Sequence, residues 1–333
     1  MKSLGWGALL VLGLLVAPFV TSEPQLRMAT EIVLLSVLAI AFNLQFGYAG
    51  MLNFGINSAF GIGAYGSALF ALSFGSAGAI ASILAGLVAA IVFGFVTGPI
   101  SVRLRGGYFA LLTLGLSQFL YTLAMRLREL THGDDGLFLR DDLSLLPGGI
   151  GGSTGSGLVC YALAATLSVL LLAGLWIVLR SPFGRTIILL RENEERAEAL
   201  GLHVFGARLA VYVLSSALAG TAGGCYAIFQ KVVTPTLFGI QFGGDVTIMT
   251  LIGGTGAFLG PVLGVGIYEV LQDWLGQITH RWQFFMGLLL VLVVLFAPRG
   301  AAGFFVRASG EPVLRSLLRS RRPTVAGKAR RPA

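Results

Sequence analysis

The sequence predicts an all-α membrane protein, a polytopic bundle of about ten transmembrane helices, on three observations. The composition is 56% hydrophobic and 11% charged with a mean hydropathy of +0.85, which leaves too little polar surface to cover a water-soluble body of 333 residues. Apolar stretches of about 18 residues, long enough to cross a hydrocarbon core of about 30 Å as a helix, recur along the chain, whereas the alternating pattern of an outer-membrane barrel does not. Glycine takes 47 of 333 positions, about twice the usual share, and small residues let helix backbones approach closely where lipid removes the drive of apolar burial.

The spans follow in order from the charges between them. Residues 4–21, after Lys2, form a retained first span, because the run is long for a signal peptide and lacks a small-x-small cleavage site. Residues 28–46 return, and the stretch GYAGMLNFGINSAFGIGAYG at 47–66 leads into a third span ending near Phe74. Residues 78–98 come back to Arg103 and Arg105, which mark a cytoplasmic turn. Residues 108–125 then lead out to the loop RLRELTHGDDGLFLRDDLSLLPGGIGGSTGSG, with five acidic and three basic side chains, and 157–179 return. The charge-dense segment RSPFGRTIILLRENEERAEALGLHVFGAR follows in the cytoplasm, and 209–229 exit to a short loop around Lys231.

Two apolar blocks remain, 237–272 and 283–297, yet a chain that ends inside needs an odd number of further crossings. The first block therefore holds two passes, broken at GGTGAFLGP (253–261), where four glycines and a proline stand together. Ten helices with both termini in the cytoplasm is the consistent count; nine with a re-entrant segment is the alternative. The formal charge of +8 lies in the tail, since residues 298–333 carry nine Lys or Arg against Glu311 while the rest is balanced at fourteen of each sign. The positive-inside rule makes this a solvated cytoplasmic tail attracted to anionic lipid, with no role on nucleic acid. The organisation is thus a membrane domain over 1–297, with a cytoplasmic segment at 180–203, and a basic tail over 298–333.

Glycine inside a helix costs about 1 kcal/mol relative to alanine, so the row at 47–66 needs a reason. Ala59, Gly63 and Ser67 recur at a spacing of four and make a small-residue face, while Gly47, Gly50 and Gly55 precede it and predict a broken helix. Transporters use such breaks to present backbone dipoles to polar solutes. Asn43, Asn53, Asn57 and Gly63 are therefore candidates to face a polar path; in the competing reading the glycines only permit close packing and the asparagines bridge helices. Asp245, in FGGDVTIMTLIGG, is the one acid singled out inside an apolar run, and it either meets a cationic group or is a hydrogen-bonded structural acid.

In the cytoplasmic segment, Asn193 is an N-cap, Glu194 and Glu195 suit the positive end of a helix dipole, and Gly201 suits C′, which predicts a short helix at 194–200. Its small face (Ala197, Ala199) and charged rim (Arg191, Glu192, Glu195, Arg196) fit a groove on a partner. His132, Asp134 and Asp135 either receive another protein on the outer side or are ordinarily solvated. Cys160 and Cys225 are small apolar residues of the spans, and His203 and His280 lack metal-ligand spacing, so no metal is expected. There is no G-x-x-x-x-G-K-[ST] loop, H-E-x-x-H or G-x-S-x-G, so neither nucleotide hydrolysis nor an intramembrane enzyme is indicated, and an ion-coupled carrier would need more buried acids than Asp245.

The stretches FNLQFGYAGMLNFGINSAFGIGAY, RLRGGYFALLTLG, SPFGRTIILLRENEERAEALG, LIGGTGAFLGPVLG and FFMGLLLVLVVLFAPRG stand in the order of the signatures of the LivM-type permease subunit of branched-chain amino acid ABC transporters, which the chain resembles from 41 to 300. The resemblance implies a bacterial inner-membrane subunit that pairs with a homologous second permease, two ATPase subunits that bind the ATP, and a periplasmic binding protein, and that imports branched-chain or related amino acids. Relatives that carry urea, amides or other small polar solutes are the alternative. It also implies that Glu195, Ala197 and Gly201, at E-x-A-x-x-x-G spacing, belong to the loop that couples ABC permeases to their ATPases, with Arg196 where a second alanine is common. This chain departs from the family pattern at Asn53-Phe54-Gly55-Ile56, where Ser-Leu-Gly-His is frequent, at Thr131 to Leu137, and at Asp245, where Glu is usual. The first two departures bear on the solute carried and leave the class intact.

Overall fold

The computed structural model describes residues 23–74, 78–139, 144–145, 157–279 and 281–296. The expected first span at 4–21 and the basic tail lie outside the described residues. Helix α1 (Glu23–Asn43) runs into a π-helical turn at Leu44–Tyr48, and regular structure resumes only at α2 (Ile56–Ser73). Then come α3 (Gly78–Ser101), α4 (Gly107–Arg126), the single turn α5 (Arg128–Thr131), α6 (Gly157–Arg180), α7 (Pro182–Glu192), α8 (Glu194–Ala199), α9 (Val204–Gln230), α10 (Ile240–Gly253), α11 (Gly260–Ile278) and α12 (Trp282–Phe296).

Five of these are long and apolar enough to cross a membrane: the α1 helix with its π turn (Glu23–Tyr48), α3, α4, α6 and α9. The chain is thus a multi-pass helical membrane protein. Helices α2 and α10 are shorter, with 18 and 14 residues. At about 1.5 Å per residue α10 spans about 21 Å, less than a hydrocarbon core. The stretch 237–272, expected to cross twice, folds as the two helices α10 and α11, neither of them among the five, and the turn between them is GGTGAFLGP. A small sheet departs from the all-α expectation: β1 (Leu137–Phe138) pairs antiparallel with β2 (Val232–Val233), Leu137 opposite Val233.

The two ends of the bundle sort the connections. At one end, Leu139 N donates to Lys231 O beyond the β1–β2 ladder, and Ala79 N, at the start of α3, donates to Ser144 O. At the other, Arg105 after α3 reaches Glu194 and Glu198 of α8, and Arg208 of α9 reaches Glu194 and Val102 O. The α3–α4 turn and the α7–α8 segment therefore share one face of the molecule, the face that collects the arginines.

The core is α2 laid between α9 and α3. Their approach is set by glycine. A Cβ on Gly63 would stand 2.1 Å from Gly220 O, one on Gly223 would stand 2.0 Å from Phe60 O, and one on Gly86 would stand 2.4 Å from Gly63 O. Backbone meets backbone across three helices, as small-residue packing in membranes permits. Above this contact Phe60 is flanked by the rings of Tyr226 and Phe242 at 5.4 Å each, and Tyr65 stacks on Phe238 at 5.5 Å.

Replacing Gly63 by valine forces α2 off α9 and should destabilise the subunit by about 1–3 kcal/mol or more. Gly115 on α4 has open space around it, and Gly115→Ala should leave stability unchanged or slightly raised. Thermal unfolding of both variants in detergent checks the pair, with early aggregation expected only for Gly63→Val.

Candidate functional site

The sequence explains why α1 does not continue into α2. Gly47 and Gly50 sit where further helical turns would form, and Gly50 takes a left-handed φ of +71°. The interrupted stretch 49–55 runs through the interior, since Gly55 packs on Thr113 O, about 9 Å along α4 from its start. Its backbone groups need partners there.

Three buried asparagines, 1%, 2% and 0% exposed, supply them. Asn43 accepts from Gly256 N at 3.1 Å and donates to Ala257 O at 3.0 Å, so the end of α1 grips the α10–α11 turn. Gly47 has to be glycine here, because a Cβ would stand 1.9 Å from Asn43 Oδ1. Asn53 donates to Gln45 Oε1 at 2.8 Å and accepts from Gly55 N at 2.8 Å, folding the stretch back and starting α2. Asn57 donates to Leu237 O and Gly239 O at 3.2 and 3.0 Å, while Ser117 Oγ donates to Phe238 O at 2.6 Å. These hold the 3-10 turn Pro235–Phe238 that precedes α10.

The asparagines expected to face a path are thus turned into the protein, each holding irregular backbone, and Gly63 lies on the α2–α9 contact.

The acids are arranged differently. Asp245, in the second turn of α10, accepts from Tyr268 Oη at 2.7 Å. Glu31 of α1 accepts from Tyr226 Oη and Gln230 Nε2, both at 3.4 Å. Glu269, next to Tyr268 on α11, lies within electrostatic reach of both Glu31 and Asp245. Three half-buried carboxyl groups on three packed helices thus lie near one another. Sequence reasoning found only Asp245, although Glu31 in ATEIVLL and Glu269 in VGIYEVL carry the same signal, a single acid within an apolar run.

The segment at 180–203, expected in the cytoplasm, folds as two helices where one was expected. Ser181 in extended conformation and Pro182 at N1 start α7, which buries Gly184, Ile187, Ile188 and Leu190. Asn193 interrupts it in extended conformation and caps α8, its Oδ1 accepting from Arg196 N at 2.9 Å. At the other end Gly201 adopts φ +77°, its N–H bonding Glu198 O, while Leu202 N bonds Ala197 O. That pair of bonds is the Schellman arrangement, so both predicted caps are in place.

The expected faces of the segment are redistributed. Ala197 is fully buried against Leu190 and Val204, so it seats α8 on its own subunit instead of meeting a partner. Arg191, Glu192, Glu195, Arg196, Ala199 and Leu200 are exposed, Leu200 at 66%. Leu200 escaped the sequence reading because it looked like part of the helix's apolar side. Arg191 belongs to the last turn of α7, and its guanidinium donates to Gly47 O. Its stem covers Gly50, and with Gly47, Tyr48, Ile188 and Glu192 it lines a cavity of about 250 Å³.

A family model described as branched-chain amino acid transport system, permease component, matches residues 25–294. The high-affinity branched-chain amino acid transport system permease protein LivM of Escherichia coli is 30% identical over 312 residues, covering 88% of this chain and 73% of that protein. The probable LivM permease of Methanocaldococcus jannaschii is 24% identical over 311 residues, 79% of this chain and 89% of that one. The probable LivH permease of the same organism is 29% identical over 150 residues, 40% of this chain and 45% of that one. No solved structure matches. Apart from two residues at each end, the described helices, the breaks between them and the capped 180–203 segment fall within the matched stretch, and the chain belongs to the branched-chain amino acid transport system permease family.

Proposed function

We propose that this chain is the LivM-type permease subunit of an ATP-driven importer of branched-chain amino acids. It forms the translocation path with a homologous second permease, receives solute from a periplasmic binding protein, and leaves ATP to two partner ATPases. The likeness to both LivM and LivH permeases supports a pairing of related subunits. The face that collects Arg105, Arg191, Arg196 and Arg208 is the cytoplasmic one by the positive-inside rule, which puts the β1–β2 end outside a bacterial inner membrane. About ten crossings with both termini in the cytoplasm follow if 4–21 form a span.

The observation that carries this reading is α8. A helix of six residues has too few internal hydrogen bonds to persist alone, yet this one is fixed by a side-chain cap, a left-handed glycine and a buried alanine. Such rigidity is needed by an element that passes a push from a neighbour. Its outward surface, Glu195, Arg196, Ala199 and Leu200 ahead of Gly201, is the docking surface for the ATPase. In the membrane, the Asp245 carboxyl, hydrogen-bonded to Tyr268, is the group offered to the ammonium of an amino acid.

Three outcomes are expected. Reconstituted alone in liposomes the subunit should neither hydrolyse ATP nor move leucine, and the complete set of subunits should do both; transport by the lone subunit would identify a self-contained carrier. Leu200→Asp should cut the ATPase retained on purification by about tenfold, the effect of losing a docking anchor of about 1.4 kcal/mol, with the permease still folded. Asp245→Asn, which keeps an acceptor for Tyr268, should raise the KM for uptake several-fold at unchanged yield, and wild-type kinetics would remove this acid from the path.

A further inference from the structure

Arg191 is the only charged side chain of the 180–203 segment for which a hydrogen bond into the π turn 44–48 or the interrupted stretch 49–55 is found among the described residues. We infer that Arg191 is the strut that carries movement of the cytoplasmic segment into the glycine-rich breaks, and that it is a positioning residue, not part of the ATPase-facing rim. The inference rests on the importer reading above.

The geometry forms a continuous line. Gly47 belongs to the π turn that ends α1, where the helix's last carbonyls lose their intrahelical partners. The guanidinium caps the Gly47 carbonyl with a charge-assisted bond. Gly50, held at φ +71°, lies against the Arg191 stem, and a Cβ there would be 3.1 Å from Arg191 Cγ. On the opposite side the same turn is clasped by Asn43 to Gly256 and Ala257, immediately before α11. A displacement of α7 thus meets the end of α1 first and the α10–α11 turn second, through groups in direct contact. The α8 end of the segment is tied elsewhere, to the α3–α4 turn, by Arg105 and Arg208 on Glu194. The two ends of the segment therefore address different helices, and only the Arg191 end addresses the breaks.

A strut can be replaced by any equally stiff link. The Cβ that Gly50→Cys would add stands 3.7 Å from Arg191 Cβ, inside the range of about 3.5–4.5 Å found across disulfides. The native Cys160 and Cys225 are buried in α6 and α9 and stay in place. The experiment uses the complete transporter in proteoliposomes and reads leucine uptake per ATP hydrolysed. Arg191→Cys should lower that ratio by about fivefold or more with the ATPases still bound. Arg191→Met should do the same, and Arg191→Lys should fall between it and wild type. Oxidation of the Gly50→Cys/Arg191→Cys pair should restore the ratio to within about twofold of the Gly50→Cys control, and dithiothreitol should abolish it again.

Full coupling in both Arg191→Cys and Arg191→Met would overturn the inference. So would loss of the ATPases from these variants, which would return Arg191 to the docking rim, or a formed disulfide that fails to restore coupling. A wild-type complex that shows no ATP-driven uptake would instead overturn the importer reading.

Discussion

Backbone that is not helical at membrane depth has to find its hydrogen bonds inside the protein, because the hydrocarbon offers none. The subunit meets this constraint with asparagine. One amide both donates and accepts, so Asn43, Asn53 and Asn57 each close off two or more backbone groups or the side chain that shapes them. Remove one and the orphaned groups each cost about 1–3 kcal/mol. The constraint also explains where the glycines stand. Gly47 lies against the Asn43 amide, Gly55 on the α4 backbone and Gly243 beside Asn57. A side chain at any of these would hold the chain away from the amide that satisfies it. Breaks, amides and glycines are one device, and the short α10 exists because of it.

Much of this was legible in the sequence because the signals were local. The caps of α8 are fixed by Asn193 and Gly201 and needed no tertiary information. The break at 253–261 was forced by counting crossings and then placed by its glycines. The turns of Asn43, Asn53 and Asn57 were not legible, because a polar residue at membrane depth satisfies the same physics by facing water or by binding backbone. For Asn43 and Asn57, choosing between these requires knowing that residues 256–257 and 237–239 come alongside, contacts more than 170 residues away in the chain, while Asn53 binds the nearby Gln45 and Gly55. Helix α7 was missed for a similar reason. Arg185, Arg191 and Glu192 made the segment look like a solvated loop, while Ile187, Ile188 and Leu190 find their cover only once α9 is in place.

The same distinction sorts the interactions of the arginine-rich face by their worth. Arg105 is 63% exposed, so its ion pairs with Glu194 and Glu198 at 3.5 and 3.6 Å contribute little, in a range of about 0–1 kcal/mol for such pairs. Arg208 and its partner Glu194 are 16% and 21% exposed, and this is the better-shielded contact of the cluster. The position of α8 is set mainly by Ala197, buried among Leu190 and Val204, and by its two caps. Salt should therefore loosen the link to the α3–α4 turn well before it loosens α8 itself.

That ordering bears on how a subunit with so many interrupted helices stays rigid enough to do mechanical work. The α2–α9–α3 contact is packed on backbone at Gly63, Gly86 and Gly223 and on small side chains such as Ala90 and Ser216 beside them, so it has little to rearrange and behaves as a fixed block. The π turn, stretch 49–55 and the α10–α11 turn sit beside that block, held by single hydrogen bonds, each individually modest. A structure built this way has a stiff part and a part that yields at defined places, and the places are those with glycine on one side and an amide or guanidinium on the other. The acids stand on the helices that the yielding part joins: Glu31 is on the helix that ends in the π turn, and Asp245 and Glu269 are on the two helices that the second break joins. Under the importer reading, a shift of either break would change the relative positions of three carboxyl groups at once, which would link movement at the α7–α8 face to the acids between the helices.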